Sequence, residues 1–95
     1  MEQHLSQYRI FYEVARCGNI SRAAKELYIS QPAISKAISK LEESLDTRLF
    51  LRNSRGVQLT KEGEVLFQHV STAFESLDRG EKELKRIHDF HIGHL

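Results

Sequence analysis

The stretch Ser21-Arg-Ala-Ala-Lys-Glu-Leu-Tyr-Ile-Ser-Gln-Pro-Ala-Ile-Ser-Lys-Ala-Ile-Ser-Lys-Leu41 limits what this chain can fold into more than any other. Its apolar residues fall at helical spacing in two short sets. The first is Ala23, Ala24 and Leu27; the second is Ile34, Ile38, Leu41 and, beyond the stretch, Leu45. Tyr28-Ile29 form a tight turn between them. Ser21 offers an N-cap oxygen to the earlier helix and Ser30 to the later one. Pro32 falls in the first turn of that later helix, where a missing N–H costs nothing. Two short helices joined by a tight turn, the second with one buried stripe and one polar face, are the expected product.

The flanking sequence completes the architecture. Leu5, Tyr8, Phe11, Tyr12, Val14 and Ala15 predict a first helix from about residue 4 to 17, stopped by Gly18-Asn19. After the third helix, Leu49–Leu51 and Val57–Leu59 flank Asn53-Ser-Arg-Gly56, which predicts a small basic β-hairpin. From Thr60 to about Asp89 there is no proline. Leu66, Val70, Ala73, Leu77, Gly80, Leu84 and Ile87 are spaced 4, 3, 4, 3, 4, 3. That is a heptad seam, the pattern of a helix that pairs with another helix. At about 1.5 Å per residue such a helix is roughly 45 Å long, too long to be covered by so small a domain. Phe67 and Phe74, off the seam, are placed to dock it on the globular part. The fold expected is mainly α: a winged helix-turn-helix of three helices and a short hairpin over residues 1–60, then a long dimerisation or linker helix over 61–89. Residues 90–95 read as the start of a hinge.

Charge along the chain separates the classes of partner. Residues 21–60 carry seven basic and four acidic side chains, a balance of +3, and residues 61–95 carry five and seven, a balance of −2. The positive middle suits a polyanion and the acidic end does not. The one cysteine, Cys17, cannot form an internal disulfide. Met1-Glu-Gln-His4 lacks the basic and apolar regions of a signal peptide, and no run of about 20 apolar residues exists to span a membrane. Together these favour a reducing, cytoplasmic setting.

Several motifs taken together point to a family. Phe11, Val14 and Ala15; Ser21-Arg-Ala-Ala24 with Leu27; Ser30-Gln-Pro-Ala-Ile-Ser35; Ile38, Leu41-Glu42 and Leu45; Leu49-Phe50 with Arg52; Arg55-Gly56; and Leu59-Thr60 with Gly63 resemble the DNA-binding end of LysR-type transcriptional regulators. The likeness is close from residue 5 to about 66 and by pattern only along the long helix. Asp46 stands where the family usually has Gly, in a left-handed turn that Asp tolerates better than most residues. Asn19-Ile20 replaces the more usual Ser-Phe. The resemblance implies double-stranded DNA as partner, bound by a homodimer at an interrupted inverted repeat, with a tetramer open to the intact regulator. It also implies a second, effector-binding domain about twice as long as this chain. His91-Ile-Gly-His-Leu95 resemble the entry to its first strand, so this sequence reads as a piece of a longer regulator, with a natural stand-alone binder as the alternative. A small-molecule effector belongs to that further domain, and no cofactor is expected in this chain.

Within that reading each polar group has a candidate role and a plainer alternative. Gln31 and Lys36 are the best base-edge readers, Ser35 adjusts to a base or phosphate, and Pro32 and Ala33 offer apolar contact to a thymine methyl. The alternative is a solvated helix face. Ser39 and Lys40, a turn further on, suit phosphates. Arg52 and Arg55 bracket the hairpin turn, where arginine favours the backbone or a narrow minor groove. Ser21 and Arg22 suit phosphate at a helix start, though Ser21 is equally a simple cap. Leu66, Val70, Ala73, Leu77, Gly80, Leu84 and Ile87 form the candidate dimer interface, against the alternative of a stripe packed on its own domain. Gly80 favours the interface, because a glycine costs about 1 kcal/mol of helix propensity and suits closely approaching helices. Cys17 reads as a small buried filler rather than a redox thiol. His88, His91 and His94 hint at metal but read more simply as surface groups, so no metal site is expected. No glycine-rich phosphate loop, paired-cysteine set or nucleophile-and-base spacing argues for catalysis. The rivals are another winged-helix repressor type and, from a different class, a protein-interaction module built on the long helix.

Overall fold

The computed structural model describes residues 5–93, with side chains through Asp89. Four helices and one hairpin follow in the order α1 (Leu5–Cys17), α2 (Ile20–Leu27), α3 (Gln31–Leu45), β1 (Phe50–Asn53), β2 (Gly56–Leu59) and α4 (Lys61–Gly93). The core lies where α1, α2 and α3 converge: Phe11, Val14, Ala23, Ile34 and Leu41 are fully buried, with Leu49, Phe50 and Ile38 against them. These are the stripes that the helical spacing predicts. Glu13, buried on α1, is satisfied by Arg16 at 3.0 Å, and Arg16 reaches on to Glu26 of α2 at 3.8 Å. The hydrogen bond to Glu13 raises the Arg16 guanidinium further above its ordinary pKa.

Local signals set most of the element ends. Ser30 Oγ accepts from Ala33 N–H at 3.2 Å, with Pro32 in the first turn as expected. Tyr28 closes α2 in the left-handed region (φ 58°), and Asp46 closes α3 in the same conformation (φ 50°). The start of α2 differs from expectation. Its cap is Asn19, whose Oδ1 accepts from Arg22 N–H at 3.0 Å, and Ser21 lies inside the first turn. Asn and Ser cap equally well. The extended backbone at Asn19 (φ −156°, ψ 123°) gives the role to the earlier residue.

The hairpin is antiparallel, pairing Phe50 with Leu59, Leu51 with Gln58, Arg52 with Val57 and Asn53 with Gly56 across a Ser54-Arg55 loop. Asn53 Oδ1 accepts from Arg55 N–H at 2.8 Å and tightens the turn, as Asn commonly does. At its base Val57 N–H donates to Gly18 O at 3.2 Å. A side chain at Gly56 would strike that same carbonyl, and its φ of 132° suits only glycine.

Thr60 joins the hairpin to α4. Its Oγ1 caps the helix by accepting from Gly63 N–H at 2.9 Å and donates to Arg48 O at 2.6 Å. Its own N–H donates to Leu49 O at 2.9 Å. Gly63 lies so close to Leu49 that a Cβ there would collide with the Leu49 carbonyl. Phe67 and Phe74 dock α4 on α1 as expected: Phe67 stacks on Tyr12, Phe74 tilts against it at 5.5 Å, and the Arg9 guanidinium sits 5.0 Å from the Phe74 ring centre.

Two features of α4 depart from expectation. Leu66 and Val70 pack against the chain's own core, Val70 being only 6% exposed. The unpartnered part of the seam therefore begins at Ala73. The helix also continues to Gly93 instead of ending near residue 89. No proline or capping residue interrupts Phe90-His-Ile92, and Gly93 is the first residue that disfavours continuation. The expected hinge over 90–93 is thus helical in backbone, while His94 and Leu95 lie outside the described residues.

Candidate nucleic-acid interface

The stripe Ile34, Ile38 and Leu41 turns α3 so that its other face looks outward. Gln31, Pro32, Ala33, Lys36, Ser39 and Lys40 are all exposed, and Ser35 is half-buried at the edge of that face. Small residues occupy much of the row, so nothing bulky holds a flat or grooved surface away from it. The start of α2 lies against the start of α3: Gln31 Nε2 donates to Ser21 Oγ at 3.4 Å. Displacing the cap to Asn19 is what leaves the Ser21 hydroxyl available to Gln31. Arg22, next in the chain, is exposed.

The wing stands on the other side of the same face. A cleft of about 340 Å³ separates Ser21 and Gln31 from Arg52, Asn53 and Arg55. A second, of about 470 Å³, separates Ile38, Ser39 and Glu42 of α3 from Arg48 and Arg52 of the wing. Arg52 borders both. The structure therefore brings the α3 row, the start of α2 and both wing arginines onto one side of the molecule, a mostly exposed surface of polar, basic and small apolar groups.

Two groups here escaped the sequence reading. Arg48, counted only as part of the basic balance, is exposed beside Ser39 in the second cleft. Glu42 accepts from Leu49 N–H at 2.7 Å and from Phe50 N–H at 3.2 Å, both on Oε2. Nothing local in the sequence announces a side chain whose partners lie seven and eight residues on. Asn19 could have been found from its place after Gly18.

Residues 5–64 match the family model described as bacterial regulatory helix-turn-helix protein, lysR family. This chain belongs to that family. Among curated relatives, the HTH-type transcriptional regulator PerR of Escherichia coli (strain K12) is 47% identical over 76 residues, covering 80% of this chain and 26% of the relative. Among solved structures, the BenM_DBD/catB site 1 DNA complex superposes with a TM-score of 0.80 at 34% identity, covering 88% of this chain and 94% of that one. The CbnR_DBD–DNA complex gives a TM-score of 0.76 at 32% identity, covering 86% and 94%. The chain spans 26–30% of the length of the first three curated relatives. Family membership removes the rival of another winged-helix type.

The remaining sequence candidates fall elsewhere. Ala73, Leu77, Gly80, Leu84 and Ile87 lie exposed along the far part of α4, and a Cβ added at Gly80 would meet no atom within 4 Å. Cys17 is half-buried against the core. His88 is exposed, whereas the His91 side chain and His94 lie outside the described residues. Among the described residues no group of three metal-ligating side chains converges, and no helix is long and apolar enough to cross a membrane.

Proposed function

We propose that this chain is the DNA-binding part of a LysR-type transcriptional regulator and binds duplex DNA sequence-specifically as a homodimer. The observation that carries the reading is the placement of the outward α3 row beside the start of α2 and across two clefts from the wing arginines. A helix presented that way enters a major groove with its N-terminal residues at base edges. Gln31 and Lys36 read bases, with Ser35 adjusting from the rim and Pro32 and Ala33 in apolar contact. Ser21, Arg22, Ser39 and Lys40 meet phosphates, and Arg52 and Arg55 lie along the backbone or in the minor groove. Phosphate contacts set position and the α3 row sets sequence.

The homodimer forms through α4. Leu77, Leu84 and Ile87 are 53%, 69% and 57% exposed, at heptad spacing, on a helix that its own domain covers only at its root. Two protomers related by a two-fold axis then address an interrupted inverted repeat. The chain acts by binding, in the bacterial cytoplasm. In the intact regulator a small molecule sensed by a further domain alters the DNA-bound geometry.

Selection of duplexes from a random pool, followed by titration over a salt series, tests this. The expected result is an enriched two-fold site and an affinity that falls steeply with salt as counterions are released. An affinity indifferent to salt, or no enriched sequence, overturns the reading.

A further inference from the structure

A carboxylate beside a surface that meets phosphates is a liability, because like charges repel across so short a gap. Glu42 is in that position. It borders the cleft between α3 and the wing together with Ser39, Arg48 and Arg52. It is also where the root of the wing is attached. The Thr47 N–H donates to the Glu42 carbonyl at 3.0 Å, and the Leu49 and Phe50 N–H groups donate to its Oε2 at 2.7 and 3.2 Å. The Leu49 carbonyl then takes the Thr60 N–H at 2.9 Å, which ties the returning strand to the same point. A hairpin of four residue pairs is marginal alone, so its attitude depends on what holds its base. One hold is Val57 N–H to Gly18 O, on the side of α1 and α2. Another, on the side of α3, is Glu42, which acts beside the burial of Leu49 and Phe50 and the ties made by Thr60.

We propose that Glu42 is a positioning residue for DNA recognition: by holding the Leu49 and Phe50 N–H groups it fixes the wing at one distance and angle from α3. Arg52 and Arg55 then meet the duplex in register with Gln31 and Lys36. The inference rests on the DNA-binding reading above. The charge of Glu42 is not what matters to DNA; its acceptor oxygen is. Glu42→Gln keeps an oxygen for both N–H groups and removes the repulsive charge. Glu42→Ala removes charge and acceptor together.

The test is a mutant cycle on the duplex selected by this chain, with Arg55→Ala introduced into the wild-type, Glu42→Gln and Glu42→Ala backgrounds. Coupled residues depart from additivity, so the cost of Arg55→Ala should be about fivefold in the first two backgrounds and under about twofold in the third. Glu42→Gln should bind at least as tightly as wild type, and Glu42→Ala about tenfold more weakly. Exchange of the Leu49 and Phe50 amides should quicken in Glu42→Ala alone. If Glu42→Ala fails to fold, Glu42→Asp replaces it in the cycle, since its oxygen stops one methylene short. A merely structural role lowers stability and leaves the cost of Arg55→Ala equal in every background; that result, or a glutamine variant as weak as the alanine one, overturns the role of Glu42 alone. A wild-type chain that binds no duplex defeats the DNA reading itself, and this inference with it.

Discussion

Tyr12 and Phe67 lie with ring centres 5.6 Å apart and planes 12° from parallel, and this stack fixes the root of α4 on α1. Phe67 also meets Phe11 edge-on at 6.5 Å, so one ring joins the long helix to the centre of the core. Together with Phe74, Leu66 and Val70 this contact sets the direction of α4 relative to the globular part.

Phe67→Ala should therefore act on stability and on geometry together. Removing a large aromatic costs about 3–5 kcal/mol, and a half-buried ring belongs at the low end of that range. Denaturant unfolding should show a loss near about 3 kcal/mol. A loss below about 1 kcal/mol would mean that Phe74 and Leu66 hold the helix without it.

Lys36→Ala should weaken binding to the selected site more than to random duplex. Its exposed place on the first turns of α3 motivates this, and a base-edge contact is worth about 1–3 kcal/mol of discrimination. Parallel titrations of the two duplexes provide the measurement. Equal losses on both would make Lys36 a phosphate contact.

Arg55→Ala should weaken binding to every sequence and flatten the salt slope by about one unit if the guanidinium meets a phosphate. If it enters a narrow minor groove, the loss should be larger at A·T-rich flanks. A salt series with varied flanks separates the two, and no change in either quantity removes the wing from the interface.

Leu77→Arg should break the dimer. Leu77 is 53% exposed on the free stretch of the seam, where a buried pair of like charges would repel. Each side chain would also forgo roughly 1.5–3 kcal/mol of burial. The variant should sediment as a monomer with its core intact. It should bind full and half sites almost equally weakly, since the linkage that multiplies two half-site affinities is gone. A variant that stays dimeric would show that α4 is not the dimerisation element.

The sequence was most legible where one residue decides one local event. Ser30 as a cap, Pro32 in a first turn, Asp46 in the left-handed region and Asn53-Ser-Arg-Gly56 as a hairpin turn all depend on groups within a few residues of each other. The outward row of α3 followed from the inward stripe Ile34, Ile38 and Leu41. Legibility failed where a partner lies far along the chain or where two residues offer the same chemistry. Asn19 and Ser21 are equivalent caps on paper, and the backbone after Gly18 chose between them. Glu42 carries no local mark of its tie to Leu49 and Phe50. Leu66 and Val70 obey the same heptad rule as Leu77, because a seam residue looks alike whether its own chain or another covers it.

That division of the seam bears on when the far part of α4 is ordered. Among the described residues no buried core side chain packs on α4 beyond Phe74; its side-chain support there is a surface ion pair, Lys82 to Asp78 at 3.0 Å, and a 3.5 Å hydrogen bond from Ser71 to Glu75. Exposed pairs of that kind add only about 0.3–0.5 kcal/mol, and isolated helical segments of about 12–15 residues are marginal in water. Dilution should thus do to this chain what mild heating does to others: ellipticity at 222 nm should fall with protein concentration while the Tyr12–Phe67 cluster keeps its signal. Assembly and the last turns of the helix would then be a single equilibrium, with the lever that spaces the two reading heads completed only when the second head arrives.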